Sequence, residues 1–284
     1  LLAQYVSFKV IDRFPEYPDK NRMADKTLAA AARQLQAVRL NAVTLDQLSA
    51  DQRPRTIDES YALQDMLNEL LVPTLGEPAG YKIGCTTTVM QHYLEIPHPC
   101  AGLMFKSTVF EAHGTYRADN LCRPGVECEI AVRLGSDMPN DRTYTARDCE
   151  VFVECVLPSI ELVDDRWVEY RSVDVHSLIA ENFFSAGCVV GNPVSLSFDA
   201  LAETEGKLTV NGELLGAGRG ADILGHPYEA LSWLANHQAR RGSILRAGDL
   251  VSLGSVVRTH WLNAGDHVEV EFEGLGSCAL TLVD

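Results

Sequence analysis

The sequence predicts an α+β fold, with an N-terminal helical unit set on a mostly antiparallel β-sandwich or closed roll. Three observations carry this. Helical periodicity is concentrated before residue 78, short β-rich runs separated by turn residues follow Gly80, and one helical stretch, Pro227 to Arg240, interrupts those runs. The expected division is therefore 1–22 as an upstream extension or N-terminal arm, 23–78 as the helical unit and 79–284 as the β-rich catalytic domain.

Residues 1–22 break every apolar stretch with Gln4, Lys9, Asp12 or Arg13, so no signal-peptide core is expected there, and Met23 reads as a natural start. Asp25 is a good N-cap for a helix over Lys26 to Leu40, where Leu28, Leu35 and Val38 recur at helical spacing. A second helix is predicted from Thr56, because Thr56 and Glu59 match a capping box and Met66, Leu67, Leu70 and Leu71 form an apolar stripe that Pro73 closes. Strands are predicted at Lys207 to Val210 before Asn211-Gly212, at Leu250 to Leu253 after Ala247-Gly248-Asp249, and at His267 to Phe272 after Ala264-Gly265-Asp266. Ala230, Leu231, Leu234 and Ala235 form one face of the intervening helix.

Composition narrows the function. The 284 residues carry 39 acidic against 24 basic side chains, a formal charge of -15 that disfavours a nucleic-acid partner. No run of about 18 apolar residues occurs, so no spanning helix is expected. The eight cysteines form no C-x-x-C pair and read as reduced, mostly buried thiols of a cytoplasmic protein.

The stretch from Arg123 to Val132 is the most informative. In a strand, Val126, Cys128, Ile130 and Val132 share one face while Glu127 and Glu129 share the other. Two rises place the two carboxylates roughly 7 Å apart at the backbone, close enough to lean onto one cation. A solvent-facing strand edge would also tolerate them. Glu161, inside the apolar run Ile160 to Val163, could supply a third carboxylate, whereas Asp164 and Asp165 beside Arg166 are explained by surface ion pairing. Three carboxylates without a nearby His or Cys pair favour a hard cation, magnesium or manganese in its place, over zinc. Lys82 lies between Gly80 and Gly84 in a predicted strand with no acidic residue near it in sequence. It reads either as a surface lysine or, beside a bound dication, as a group that neutralises a substrate carboxylate or moves a proton, with glycines that let a ligand approach the backbone.

Gly80-Tyr81-Lys82-Ile83-Gly84, Pro99 followed by Gly102, Glu127-Cys128-Glu129, Ile160-Glu161-Leu162-Val163-Asp164, Ile179-Ala180-Glu181-Asn182, Leu224-Gly225-His226-Pro227 with Trp233-Leu234-Ala235-Asn236, and Ala247-Gly248-Asp249 occur together in one order. The ensemble resembles the 2-keto-4-pentenoate hydratase family, part of the fumarylacetoacetase-like superfamily, from about Met23 to the C-terminus. The resemblance implies a β-rich domain of the fumarylacetoacetase C-terminal type, a metal held by Glu127, Glu129 and Glu161, and Lys82 in the active site. It also implies a homo-oligomer acting on a small 2-oxo acid in aromatic compound catabolism.

Two positions depart from the family pattern. An Asp expected just before Gly102 is replaced in Pro99-Cys100-Ala101-Gly102, and Gly254-Ser255 is followed by Val256-Val257 where the family carries Thr. Cys100 could be a replacement acid or a buried inert thiol, and His98 could take over proton transfer. Thr86, Arg123 and Ser255 could contact a substrate carboxylate, and Glu181 is a distant candidate base. Arg123 could equally be a turn residue, and His226 reads as a helix cap. Gly216-Ala217-Gly218-Arg219-Gly220 lacks the spacing of a phosphate loop and reads as a flexible turn.

The expected reaction is addition of water to a short 2-hydroxy-2,4-dienoate to give a 4-hydroxy-2-oxo acid, with the cation chelating the substrate carboxylate and adjacent 2-oxygen. The rivals are decarboxylation of the 4-oxalocrotonate type, carbon–carbon hydrolysis of an acylpyruvate, and a catalytically silent protein that keeps the metal cage.

Overall fold

The structure, a computed structural model, describes residues 22–284. Expectations for residues 1–21 lie outside the described residues. Helix α1, Arg22–Leu40, begins ahead of Asp25, so Asp25 is not its cap; Arg22, Met23 and Ala24 offer the helix no break. Its Ala31, Ala32, Leu35 and Val38 face the core.

Helix α2 runs Ile57–Leu75. Thr56 accepts the Glu59 N–H at 3.1 Å, while the Glu59 carboxylate reaches one residue past the expected box to the Arg55 N–H at 2.7 Å. Pro73 does not end this helix. It sits in the last turn, where only one carbonyl loses its donor, and the chain turns at Gly76, which has φ 79° and donates to Val72 O.

The rest of the chain follows as β1 (Pro78–Gly84), α3 (Thr88–Tyr93), β2 (Cys100–Phe105), β3 (Val109–Glu111), β4 (His113–Arg117), β5 (Pro124–Leu134) and α4 (Ala146–Cys149). Then come β6 (Val153–Asp164), α5 (Val175–Ala180), β7 (Ser185–Val190), α6 (Phe198–Glu203), β8 (Glu205–Val210), β9 (Glu213–Arg219) and α7 (Pro227–Arg240). Last are β10 (Leu250–Ser255), β11 (His260–Trp261), β12 (His267–Phe272) and β13 (Gly276–Val283). The β-rich region thus holds four short helices besides α7. They are four to six residues long, too short to show helical periodicity. The stretch from Gly216 is not a flexible turn: it lies largely in β9, the return strand of the Asn211-Gly212 hairpin.

Eight strands form one sheet in the order β2-β1-β10-β5-β6-β7-β3, with β11 beside β5, and five form a second in the order β4-β13-β12-β8-β9. Pairing is mostly antiparallel; β1 with β10, β3 with β7 and β4 with β13 run parallel. Val126, Cys128, Ile130 and Val132 of β5 and Ile160 and Leu162 of β6 are fully buried in a core that also holds Val268, Val270 and Leu280 of the second sheet. Their odd-numbered neighbours turn to the other face of the large sheet. The N-terminal helices share this core through Leu35, Leu63, Leu67 and Leu71. No helix among the described residues is long and apolar enough to cross a membrane.

Packing of α2 also fixes polar partners of the sheet: Gln64 donates to Ala101 O at 2.9 Å and to Ile179 O at 2.7 Å, and Asn68 accepts from Asn182 at 2.6 Å. Leu67, 1% exposed, lies between these two anchors. Leu67→Ala is therefore expected to cost about 2–5 kcal/mol, read as a lower urea midpoint with an unchanged slope.

Candidate active site

The register of β5 against β6 builds the site. Glu127 faces Glu161 directly and Glu129 faces Ser159, so the alternation that buries Cys128 and Ile160 sends three carboxylates to one side. One oxygen from each lies within 4.8 Å of the others, and among the described residues no His or Cys joins the group. Glu129 and Glu161 are 0% and 1% exposed. Burial, reinforced by Glu161 and Glu127, holds the Glu129 carboxyl well above its ordinary range. Burial likewise pushes Glu161 up to about 7, against the pull of Lys82. Glu129 Oε1 and Glu161 Oε2 accept no hydrogen bond from a described group, and Glu161 Oε1 has an ammonium beside it. Buried acceptors left orphaned around one point are costly unless a cation meets them, so these residues fit a hard dication.

Lys82 projects from β1 onto the same face. It pairs with Gly102 of β2 on one side and Ser252 of β10 on the other, and its Nζ stands 3.0 Å from Glu161 Oε1 and 3.2 Å from Phe183 O. The lysine is buried and ion-paired, which rules out the surface reading. The partner lies 79 residues away and only the sheet brings them together. Burial alone would lower its pKa; the three carboxylates, Glu161 foremost, outweigh that and hold it above its ordinary value. The flanking glycines serve the protein rather than a ligand: a Cβ on Gly80 would stand 1.8 Å from Leu250 O, and one on Gly84 2.8 Å from the Phe183 ring.

A model of the fumarylacetoacetate (FAA) hydrolase C-terminal family matches residues 93–283. The chain belongs to this family. It is 32% identical over 260 residues to the 2-keto-4-pentenoate hydratase of Paraburkholderia phymatum, covering 91% of this chain and 97% of that protein. It is 26% identical over 255 residues to the 4-oxalocrotonate decarboxylase of Pseudomonas putida, covering 89% and 96%. The solved 4-oxalocrotonate decarboxylase from Pseudomonas putida G7, complexed with magnesium and adipate, superposes with a TM-score of 0.85 at 23% identity over 93% of this chain and all of that one. A fumarylpyruvate hydrolase from Pseudomonas aeruginosa, in complex with manganese and pyruvate, superposes with a TM-score of 0.57 at 15% identity, covering 72% and 89%. These likenesses show the shared fold, with its N-terminal helices and two sheets.

In this member of the family the remaining candidates fall unevenly around the cage. Thr86 is buried against Gly254, whose N–H donates to Glu129 Oε2 at 3.3 Å. Ser255 pairs with Glu129 across the strands, but its hydroxyl closes a turn, with Val257 O at 2.8 Å and Cys128 O at 3.1 Å as the carbonyls that its one proton can reach. Arg123 stands four residues before Glu127 on the same face, ion-paired with Asp165. Glu181 is not presented as a base. Its carboxylate is bound to Arg166 at 2.6 Å and to the Phe184 N–H, where it braces Asn182, Phe183 and Phe184, three consecutive residues at φ 66°, 50° and 65°. That turn delivers Phe183 O to Lys82.

Asp164 and Asp165 are buried, not surface residues. Asp164 takes the Cys122 and Arg123 N–H groups, each at 2.8 Å. Cys100 is fully buried beside Cys85, and burial holds its thiol protonated. His98 bonds Pro99 O at 2.7 Å and stacks on Trp233. His226 caps α7, accepting the Tyr228 N–H at 3.0 Å. All eight cysteines are free, six of them buried.

Two hydroxyls escaped the sequence reading. Ser252 donates to Glu129 Oε2 and meets Ser159 Oγ at 3.2 Å, and Thr259 donates to Glu127 Oε1. Small polar residues facing carboxylates from other strands leave no local sequence signal, although Ser252 inside the apolar run of β10 is unusual enough to have been noticed.

Glu127→Gln and Glu129→Gln are expected to weaken magnesium binding at least tenfold by calorimetry, since each removes one ligand charge while keeping shape. Affinity should also fall as pH drops below about 7, where Glu161 takes up a proton. The metal-free protein should show the opposite trend. Because the folded pKa of Glu161 is raised, its contribution to stability is fully present below the unfolded carboxylate value and is lost as pH rises through about 7. Thermal melts with and without chelator would show both slopes. Lys82→Met should destabilise the metal-free protein by about 3–5 kcal/mol near pH 8, far more than an exposed lysine would. An unchanged melting curve would remove the pairing as a stabilising contact.

Proposed function

We propose that the chain is a metal-dependent hydro-lyase that adds water to a short 2-hydroxy-2,4-dienoate and yields a 4-hydroxy-2-oxo acid. The observation that carries it is the convergence of Glu127, Glu129 and Glu161 within 4.8 Å, with the Lys82 ammonium 3.0 Å from one of them. Hydratases around 30% identical over most of the chain support the same reaction. Glu127, Glu129 and Glu161 would hold magnesium, or manganese in its place. A dication bound there supplies Lewis acidity for the negative charge that a 2-oxo acid develops on its 2-oxygen.

The chain's own groups do the rest. Lys82, its ammonium 3.0 Å from Glu161, would neutralise the substrate carboxylate or move a proton at the dienol. Ser252 and Thr259 aim the Glu129 and Glu127 carboxylates, and the Phe183 ring, with Lys82 5.3 Å from its centroid, walls the ammonium from water. Thr86 lies where it could bind the substrate carboxylate; Ser255 and Glu181 serve as supports for the backbone. A homo-oligomeric assembly, a cytoplasmic location and a part in aromatic compound catabolism belong to this proposal.

A second reading, decarboxylation of a 4-oxalocrotonate-type substrate, draws on the 26% identity with a decarboxylase over 89% of the chain. It uses the same cage. Freshly generated 2-hydroxydienoates, with and without magnesium, are expected to give a 4-hydroxy-2-oxo acid only with the metal. Carbon dioxide release from a dicarboxylate would establish the rival, and silence with every substrate would overturn both. Lys82→Met should lower turnover about a hundredfold or more.

A further inference from the structure

A continuous aromatic arc leaves the cage and ends on an arginine. Lys82 lies 5.3 Å from the Phe183 ring centroid, Phe183 and Phe184 meet edge to face at 5.5 Å, Phe184 meets Tyr170 at 5.9 Å and Tyr170 meets Trp261 at 6.5 Å. Arg123 closes the arc, its guanidinium 4.8 Å from the Trp261 centroid and 5.5 Å from that of Tyr170.

The strand ladder reaches the same end independently. From Glu127 opposite Glu161, the row on this face passes Gly125 opposite Val163, and the next step is Arg123 ion-paired with Asp165. A Cβ on Gly125 would stand 2.8 Å from the Trp261 ring and 3.0 Å from Thr259, so the ring packs against the strand at Gly125, between Glu127 and Arg123 in sequence. Four residues of strand separate Arg123 from Glu127 by about 13 Å at the backbone, a gap that the arginine's own length shortens.

The guanidinium is held at its place but not used up. Asp165 is its acceptor among the described residues, and 47% of its side chain is exposed. Two rings and a fully buried carboxylate fix its plane, leaving the outward donors of its fork free for a planar anion. A second guanidinium, that of Arg171, sits 5.7 Å from the Tyr170 centroid. Two arginines thus meet on one ring, Arg123 paired with Asp165 and Arg171 beside Glu169.

We infer that Arg123 is a specificity-determining residue that reads a second, distal carboxylate, so that the preferred substrates are conjugated 2-oxo or 2-hydroxy diacids rather than monoacids. The inference rests on the reading of the carboxylate cage as a 2-oxo acid site. Edge-to-face and tilted rings line the way with apolar surface, and Arg123 supplies the charge that distinguishes two chains of the same length.

The test compares 2-oxoadipate with 2-oxohexanoate, unreactive probes that share the chelating head and differ at the far end, by calorimetry on the magnesium-loaded protein. The wild type is expected to bind 2-oxoadipate roughly tenfold to a hundredfold more tightly, and Arg123→Met to bring the ratio close to one. Because Arg123→Met strands the buried Asp165 charge, the double variant Arg123→Met with Asp165→Asn is measured alongside and should show the same lost ratio with a melting temperature near that of the wild type. Equal binding of both probes by the wild type, or a ratio that survives in both variants, overturns the inference and leaves the cage reading standing. Binding of neither probe overturns the 2-oxo acid reading and this inference with it.

Discussion

Three carboxylates and an ammonium, all but one of them removed from water, meet on one face of a single sheet, and much of the surrounding structure answers that electrostatic problem. Buried carboxylates repel and tend to protonate; a buried ammonium without a counter-charge would tend to lose its proton. Lys82 against Glu161 at 3.0 Å settles part of the imbalance, and the remaining negative charge is of the kind a dication would balance. The hydroxyls of Ser252 and Thr259 fix the directions of the other two carboxylates, so the cage is shaped before any ligand arrives.

Holding an ammonium there also requires a strained piece of backbone. Asn182, Phe183 and Phe184 all take positive φ, a conformation that side-chain-bearing residues reach only when neighbours over-determine it. Glu181 and Arg166 brace the turn from one side, Asn68 of α2 binds Asn182 from another, and Asn182 in turn accepts the Leu103 N–H at 2.7 Å. The N-terminal helices thus bear directly on the site. Arg39 of α1 shows how dry the bracing layer is, since burial first and Arg166 second bring its pKa down to about 9.

The same arrangement explains why one fold can serve several reactions. On the proposed reading the cage and Lys82 would take the head of a 2-oxo acid, shared by hydration and decarboxylation. What differs among substrates would then lie further along, toward Phe183, Phe184, Tyr170 and Trp261. Specificity can therefore change at the rim without disturbing the electrostatics that the sheet must satisfy.

Much was legible in the sequence because it depends on local periodicity. The alternation around Glu127-Cys128-Glu129, the apolar stripe of α2, the extent of α7 and the turn signals before β10 and β12 fix which residues face which way, and they place the carboxylate row on one side of a strand. Helix ends were less legible: α1 begins before Asp25 and α2 passes Pro73, because caps are local preferences that neighbouring packing overrides. Only the tertiary structure decided who meets whom. Lys82 and Glu161, Ser252 and Glu129, Arg123 and its two rings are brought together by strand register across the large sheet, and Glu181 is turned away from the cage by Arg166. Such pairings are long-range contacts, set by which strands lie side by side, and short-range sequence pattern carries little information about them.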